Sequence, residues 1–315
     1  MKIITDVYSN ENKSLIEKSI ARYSCAAEHN YHCYIDKILD IGPNGLPYAC
    51  IFEDDMCILA TYDSKTYEYR LFTEILAPVD KKANLLKIFL DHLYSLENVP
   101  SKVWVELESD TRKNVLNTLK DTDYTCNNIN YTLIWSVFEL SKWNGDLMQG
   151  GEWKDIRYYW NKFFRDHKVE FLTADKVDKE ELKKLVYDWK KTRTTGDKAY
   201  IDYYIKAIDS NFIGYDMTRI MIVDDKIAAI TAGFNSRLGY YYDSIGLYDT
   251  SIPRCNEIAN MDDLINLKKS GFELVDFGGV EKHCLDFKNK FRPTRYYKTH
   301  VFSIIKKIKD TTDNN

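Results

Sequence analysis

Apolar residues in the first half of the chain follow helical and strand periodicities in turn. Residues 80–96 carry Leu86, Phe89, Leu90 and Leu93 at spacings of three and four, which predicts an amphipathic helix. Shorter apolar runs bounded by polar turn residues predict strands. The predicted strands are two within residues 48–62 and one each at 68–76, 102–107 and 131–140, and further helices are predicted at 14–29 and 109–120.

The second half repeats this order of elements with different residues. Asp178 followed by Glu181 forms a capping box, which predicts the start of a helix. Pro253 and Gly271 bracket a second apolar-periodic segment and predict its first and last turns. The other predicted elements are a helix at 152–167, a hairpin at 219–234, strands at 238–248 and 273–279, and a final strand from 299.

The repeated order predicts two α/β domains, each built on a mixed sheet of the α+β kind. The boundary is expected in the segment LSKWNGDLMQGG, residues 140–151, where glycines interrupt the pattern. We therefore expect an N-terminal domain at 1–140 and a C-terminal domain at 141–315. The polar tail at 309–315 is expected to be frayed.

Composition narrows the class of protein. The 315-residue chain has a formal net charge of −4, which argues against a surface made for DNA, although a local basic groove stays open. Seven cysteines without a CxxC pair fit reduced thiols better than a disulfide framework. No apolar leader follows Met1 and no membrane span is predicted, so a cytoplasmic location is expected.

Four segments of the second half resemble the C-terminal domain of phosphatidylglycerol lysyltransferases and its soluble relatives. They are GGEWKDIRYYWNKFFRDH at 150–167, YYDSIGLYD at 241–249, DFGG at 276–279 and LDFKNKFRP at 285–293. Those families, and more distantly the Fem transferases, carry two GNAT acyltransferase units in tandem. The resemblance therefore implies two tandem GNAT-like domains and the transfer of an acyl or aminoacyl group to an amine or hydroxyl.

Only element order links the first half to these families. Its segment APVDKKANLL, residues 77–86, lacks any glycine where a GNAT unit would hold a pyrophosphate. The first domain is therefore expected to be non-catalytic.

In a GNAT unit, the strand before the central helix splays from its neighbour, and the helix N-terminus presents N–H groups to the donor pyrophosphate. The resemblance places Arg254 and Asn256 in this donor-binding segment. A coenzyme A user has a glycine where this chain has Glu257. A carboxylate about 4 Å from a phosphate would repel it by roughly 4 kcal/mol. Unless Glu257 points away, aminoacyl-tRNA is favoured as donor over acyl-CoA, and both stay open.

Cationic residues form two further candidate donor-binding sets. In residues 285–300, Phe287 and Phe291 are spaced to bury together, which would turn Lys288 and Arg292 outward as a pair. Lys154 and Arg157 follow the apolar face of the helix predicted at 152–167. Each set competes with a plain interpretation as solvated surface.

Three residues are candidates for the chemistry. Tyr242 and Asp243 lie on the strand that lines the expected cleft, on opposite faces because side chains alternate, so only one of them can face the substrate. Asp276 lies among apolar residues of the next strand. Each is equally compatible with a structural role. No HExxH, Walker or GxSxG motif is present, so no metal is expected.

Two functions of different classes follow. The first is an acyl- or aminoacyltransferase with a small-molecule or peptide acceptor and, for the aminoacyl reaction, tRNA as a partner. The second is a tandem GNAT protein that has lost its donor loops and serves as a binding module, a hypothesis motivated by Glu257.

Overall fold

The computed structural model describes residues 1–193, 201–236 and 238–307, so the tail expected to be frayed lies outside the described residues. The first elements in chain order are β1 (Lys2–Ile4), α1 (Asn10–Tyr23), α2 (Tyr31–Asp40), β2 (Gly45–Ile51), β3 (Cys57–Asp63), β4 (Glu68–Leu71), α3 (Val79–Leu93), β5 (Lys102–Glu108), α4 (Ser109–Leu119) and β6 (Tyr124–Cys126). They are followed by β7 (Tyr131–Glu139), α5 (Lys154–Asp166), β8 (Val169–Leu172), α6 (Lys179–Lys191), α7 (Asp202–Asp209), β9 (Met217–Val223), β10 (Lys226–Asn235), β11 (Tyr240–Tyr248), α8 (Cys255–Lys269), β12 (Leu274–Val280), α9 (Leu285–Asn289) and β13 (Arg295–Lys306).

The chain forms two compact units, and the first combines Met1–Ile134 with the chain from Tyr297 onward. Its strands run in the order β1-β2-β3-β4-β5-β13, and β6 also pairs with β13. The β4–β5 pair is parallel, and the other described pairs are antiparallel. Alternating residues of β2 face opposite cores: Cys50 packs with α3 and α4, whereas Ala49 packs with α1 and α2.

The C-terminal strand completes the core of the first unit. Phe302 and Ile304 are fully buried and pack with Val103 and Val105 of β5, beside Phe89 of α3. Here the structure differs from the expected division at residue 140. Phe302 and Ile304, at alternating positions of β13, bury in the same core as β5 and α3, so the segment from Tyr297 counts with the first unit.

The second unit spans Trp135–Tyr296. Its strands run in the order β7-β12-β11-β10-β9-β8. The β11–β12 pair is parallel, while β8, β9, β10 and β11 pair antiparallel in sequence. Helices α6 and α7 pack on Ile245 and Leu247 of β11. On the other face, α5 and α8 pack against Tyr241 of β11 and Val275 of β12.

Most predicted elements form, and the largest error concerns the first predicted helix. The helix predicted at 14–29 is α1, which begins at Asn10 and ends at Tyr23, and α2 at Tyr31–Asp40 was not predicted. Ser9 caps α1 by accepting a hydrogen bond from the Asn12 amide, and Asn30 caps α2 through the His32 amide. The prediction failed because the polar first turn of α1 lacks apolar residues and the loop after Tyr23 contains good helix formers.

Within the described ranges, no helix is both long enough and apolar enough to cross a membrane.

Replacement of Phe302 by alanine tests the assignment of β13 to the first core. The buried ring leaves a cavity, so we expect Phe302→Ala to lower the free energy of unfolding by about 3–5 kcal/mol in urea denaturation. Lys298→Ala, at an exposed position of the same strand, should change it by less than about 0.5 kcal/mol. Similar small effects for both variants would contradict the assignment.

Candidate functional site

The parallel pair β11–β12 opens into a cleft. Its pairing joins Tyr240 to Leu274, Tyr241 to Val275 and Tyr242 to Asp276. Both strands continue beyond this point, β11 to Tyr248 and β12 to Val280, without further pairing between their described residues. The carboxyl ends of parallel strands are where open α/β sheets bind ligands. The geometry therefore places a candidate site at the end of this pairing.

A bulge in β11 lies at the same level. Ala232 of β10 pairs with Ile245, whereas Gly233 pairs with Asp243, so Ser244 is an extra residue in β11. A bulge bends its strand and increases the local twist. The bend turns the second half of β11 away from β12 where their pairing ends.

Tyr242 and Asp243 point to opposite faces of β11, as the alternation predicts. The Tyr242 ring contacts Phe234 with ring centroids 5.6 Å apart. Its hydroxyl also approaches β12, because a Cβ atom built on Gly278 would lie 3.6 Å from it. Gly278 has φ +73°, a left-handed conformation that favours glycine. Asp276, fully buried, accepts a hydrogen bond from the Gly278 amide at 2.7 Å.

The side chain of Lys288 points into the protein at this site, so the prediction that it points outward was wrong. Its side chain is buried, and Nζ donates to the carbonyl oxygens of Phe277 and, at 2.6 Å, Gly278. Burial lowers the pKa of Lys288 to about 8, although the charges of Asp276 and Asp243 act in the opposite direction. The last residues of β12 have separated from β11, so their carbonyls are open to the ammonium.

Arg292 does point outward, so it does not form a pair with Lys288. It is exposed, and its Nη2 donates to the backbone oxygen of Glu152 at 2.9 Å. The two candidates on α5 also separate. Arg157 donates to backbone oxygens of the preceding loop, at Met148 and Gly150, while Lys154 is exposed at the helix start.

The start of α8 holds an internal anion. The Glu257 side chain is buried, and its Oε1 accepts hydrogen bonds from Arg254 at 2.7 Å and Lys290 at 2.9 Å. Burial alone would raise the pKa of this carboxyl, but hydrogen bonds from Lys290 and Arg254 outweigh it and lower the pKa. Arg254 also stacks over the Tyr159 ring at 4.1 Å, and Asn256 accepts from the Glu257 amide at 3.0 Å.

Glu257 therefore does not point away from the helix start. Its carboxylate neutralises two cations, Arg254 and Lys290, at the N-terminal end of α8, where these cations would otherwise be available to a phosphate.

Two cavities in the second unit bear on the candidate site. One of about 420 Å³ lies beside the start of α8, and one of about 310 Å³ lies between α6 and the end of β11. The first is lined by residues that include Tyr158, Tyr159, Lys162, His167 and Arg254, and the second by residues that include Glu181, Asp188, Trp189, Tyr248 and Asp249. Across the described part of the chain, no group of three His, Cys, Asp or Glu side chains is arranged to hold a metal.

Sequence reasoning missed three features of this site. Lys290 appeared only as part of a basic run, and its pairing with Glu257 depends on how α9 folds back toward α8. The Ser244 bulge has no sequence signal. Gly278 did have one, since a glycine pair after a buried strand often marks a backbone that other groups approach closely.

Solved structures share this architecture over nearly the whole chain. The C-terminal domain of a putative lysylphosphatidylglycerol synthetase from Agrobacterium fabrum has a TM-score of 0.61 at 14% identity, covering 93% of this chain and 91% of that one. FemX has a TM-score of 0.61 at 10% identity, with 96% and 97% covered. A tandem GNAT protein from the clavulanic acid biosynthesis pathway has 0.57 at 7% identity, with 97% and 98% covered.

The chain has the tandem GNAT fold. The predicted fold class and the resemblance to this group of structures are thereby confirmed. Neither the family models nor the curated protein sequences give a match.

The lowered pKa of Lys288 predicts a pH effect on stability. Unfolded lysine has a pKa near 10.4, so between about pH 8 and 10 the unfolded chain holds a proton that the folded protein has released. The free energy of unfolding of the wild type should therefore rise over this range relative to Lys288→Met, by up to roughly 3 kcal/mol.

Urea denaturation at pH 7 and pH 10 measures this difference. Lys269→Met, at an exposed position near the end of α8, is the matched control and should follow the wild type. Parallel curves for the wild type and Lys288→Met would show that Lys288 is not buried as a cation.

The pairing of Glu257 predicts how the chain responds to phosphates. Glu257→Gln frees the charges of Arg254 and Lys290, so coenzyme A should bind about tenfold or more tightly than to the wild type in calorimetry at fixed salt. The exposed Glu281→Gln serves as control and should leave this affinity unchanged. If Glu257→Gln bound coenzyme A with unaltered affinity, Glu257 would not be what opposes phosphate binding at this end of the helix.

Proposed function

We propose that the second unit transfers an acyl or aminoacyl group from an activated donor to an amine or hydroxyl, with aminoacyl-tRNA as the favoured donor. The observation that carries the proposal is the convergence of Lys288 with two carboxyls, Asp243 and Asp276, where β11 and β12 separate. A buried cation beside carboxyls in a cleft is the arrangement that acyl transfer needs.

The reaction assigns a role to each group. The acceptor nitrogen attacks the ester carbonyl, a C–N bond forms, and negative charge develops on the carbonyl oxygen. Lys288 uses two of its three N–H groups on the carbonyls of β12, and the third stabilises this oxyanion. With a pKa of about 8, Lys288 is mostly charged at neutral pH. The charge of Asp276 supports this state.

Asp243 is the general base and then the general acid of the reaction. It accepts the proton that the acceptor amine loses, and returns it to the oxygen that leaves the donor when the ester C–O bond breaks. Tyr242 lies on the other face of β11, toward Phe234, and takes no part in this proton transfer. One proton thus moves from the nucleophile to the leaving group, and none is gained or lost overall.

Glu257 favours an aminoacyl ester over coenzyme A. A coenzyme A pyrophosphate would have to displace a carboxylate that two cations already hold. A tRNA ester brings no pyrophosphate to this point. Its terminal nucleotide can stack on Tyr158 in the 420 Å³ cavity, with its phosphate near Lys162.

The 310 Å³ cavity suits the acceptor. Glu181, Asp188 and Asp249 give it more carboxylates than cations, and Tyr248 connects it to the strand that carries Asp243. Carboxylates favour a positively charged amine, in a small molecule or a peptide. Structural neighbours named as a lysylphosphatidylglycerol synthetase domain and FemX support a donor of the aminoacyl class.

Label transfer from radiolabelled aminoacyl-tRNA to small amines and short peptides tests the proposal. Lys288→Met should lower the single-turnover rate about 100-fold or more, since it removes an oxyanion donor. Lys269→Met should react like the wild type. Transfer from acetyl-CoA but not from aminoacyl-tRNA would reverse the assignment of the donor.

The second candidate function is a binding module. The pairing of Glu257 with Arg254 and Lys290 is the observation that favours it. A binding module should give no transfer from either donor while still binding a ligand in the second unit. That result would overturn catalysis and leave the fold assignment intact.

A further inference from the structure

Three buried polar atoms beneath α8 have no hydrogen-bond partner among the described residues. They are Oδ1 of Asp243, Oδ2 of Asp263 and the hydroxyl of Tyr241. An unsatisfied buried polar group costs about 1–3 kcal/mol, so natural proteins contain few of them. Two of the three belong to carboxyl groups, Asp243 and Asp263, which carry charge when ionised.

Strand register brings these atoms together. Gly233 of β10 lies opposite Asp243, and Thr231, two residues earlier, shares the same face. Thr231 donates a hydrogen bond to Oδ1 of Asp263 at 3.2 Å, which fixes Asp263 of α8 over this face. The ring of Tyr241 covers Gly233, where an added Cβ would lie only 2.6 Å from it. Asp243 and Asp263 thus face the same space between β11 and α8.

The surrounding charges leave this pair without a dedicated cation. The charge of Arg219 of β9 acts on Asp263, but both Nε and Nη2 of Arg219 bond Asp262, the neighbour of Asp263, at 2.6 Å. Lys288 of α9 is held by backbone carbonyls of β12. Tyr248 of β11 is a phenol whose hydroxyl accepts from Asn260, so it brings no positive charge.

Two buried carboxylates without a cation between them cannot both stay ionised. Burial raises the pKa of Asp263, and the charge of Asp262 raises it further. Burial also raises the pKa of Asp243 well above its usual range, and the charge of Asp263 adds to this effect. Both shifts agree with a proton retained by the pair.

We propose that Asp243 and Asp263 share one proton between Oδ1 of Asp243 and Oδ2 of Asp263, which makes Asp263 a positioning residue for Asp243. The shared proton satisfies two of the three unpaired atoms. It also fixes the plane of the Asp243 carboxyl, so that its second oxygen faces the cleft as proton acceptor. Sharing of the proton stands on the geometry alone, whereas the positioning role rests on the proposed function.

During transfer the shared proton does not leave the pair. The amine proton passes to the outer oxygen of Asp243 and then to the leaving oxygen, while Asp263 keeps the inner oxygen occupied. Asp263 touches neither substrate, so its contribution is to the direction and proton affinity of Asp243.

A pH-dependent double-mutant cycle tests the shared proton. The folded protein holds this proton at a pH where unfolded aspartate, with a pKa near 3.9, has lost it. The stability of the wild type should therefore fall as pH rises above about 4 because of this pair. Asp263→Asn and Asp243→Asn should each remove that decline, and the double variant should remove no more than either one.

The measurement is the unfolding midpoint of each variant relative to the wild type between pH 5 and pH 8. For both single variants this difference should increase with pH. The exposed Asp175→Asn should give a constant difference. Curves parallel to the wild type for Asp263→Asn and Asp243→Asn, or additive effects in the cycle, would overturn the shared proton.

The positioning role has a separate readout in catalysis. Asp263→Asn removes the hydrogen bond that the shared proton makes to the Asp243 carboxylate, so the acidic limb of the kcat/KM profile should move to higher pH by about one unit. An unmoved limb, with a pH-dependent stability difference still present, would overturn positioning alone. If no transfer activity exists, the proposed function fails while the stability cycle still decides whether the proton is shared.

Discussion

The end of the β11–β12 pairing is the constraint on which the second unit depends. Parallel strands that stop pairing expose carbonyls and amides that must find other partners. The carbonyls at the end of β12 accept hydrogen bonds from the ammonium of Lys288. The Gly278 amide donates a hydrogen bond to the carboxylate of Asp276. A cation and a carboxylate are thus fixed in a cleft by backbone groups, which hold position better than flexible side chains do.

The sequence predicted the elements that build this cleft better than the contacts within it. Periodicity located β11, α8 and β12, and alternation put Tyr242 and Asp243 on opposite faces. It could not give the direction of Lys288, because a five-residue helix has too few positions to define a buried face. Phe287 and Phe291 do pack inward, but Lys288 follows them because unpaired carbonyls attract it.

The effect of Glu257 depends on a residue that is distant in the sequence. The sequence identified a carboxylate where a phosphate-binding glycine was expected, but the meaning of that change depended on Lys290, far along the chain. With Arg254 and Lys290 both satisfied internally, the start of α8 is a closed ionic cluster. The helix can then support the floor of the cleft without an external anion.

The placement of β13 has a consequence for biosynthesis. The ribosome makes all of the second unit before it makes the strand that pairs with β5, from Thr299 opposite Glu108 to Ile304 opposite Val103. The continuous second unit can therefore fold during translation, whereas the first unit waits with an open edge on β5. The first unit cannot complete its sheet before β13 is made, and the edge of β5 stays open to wrong partners until then.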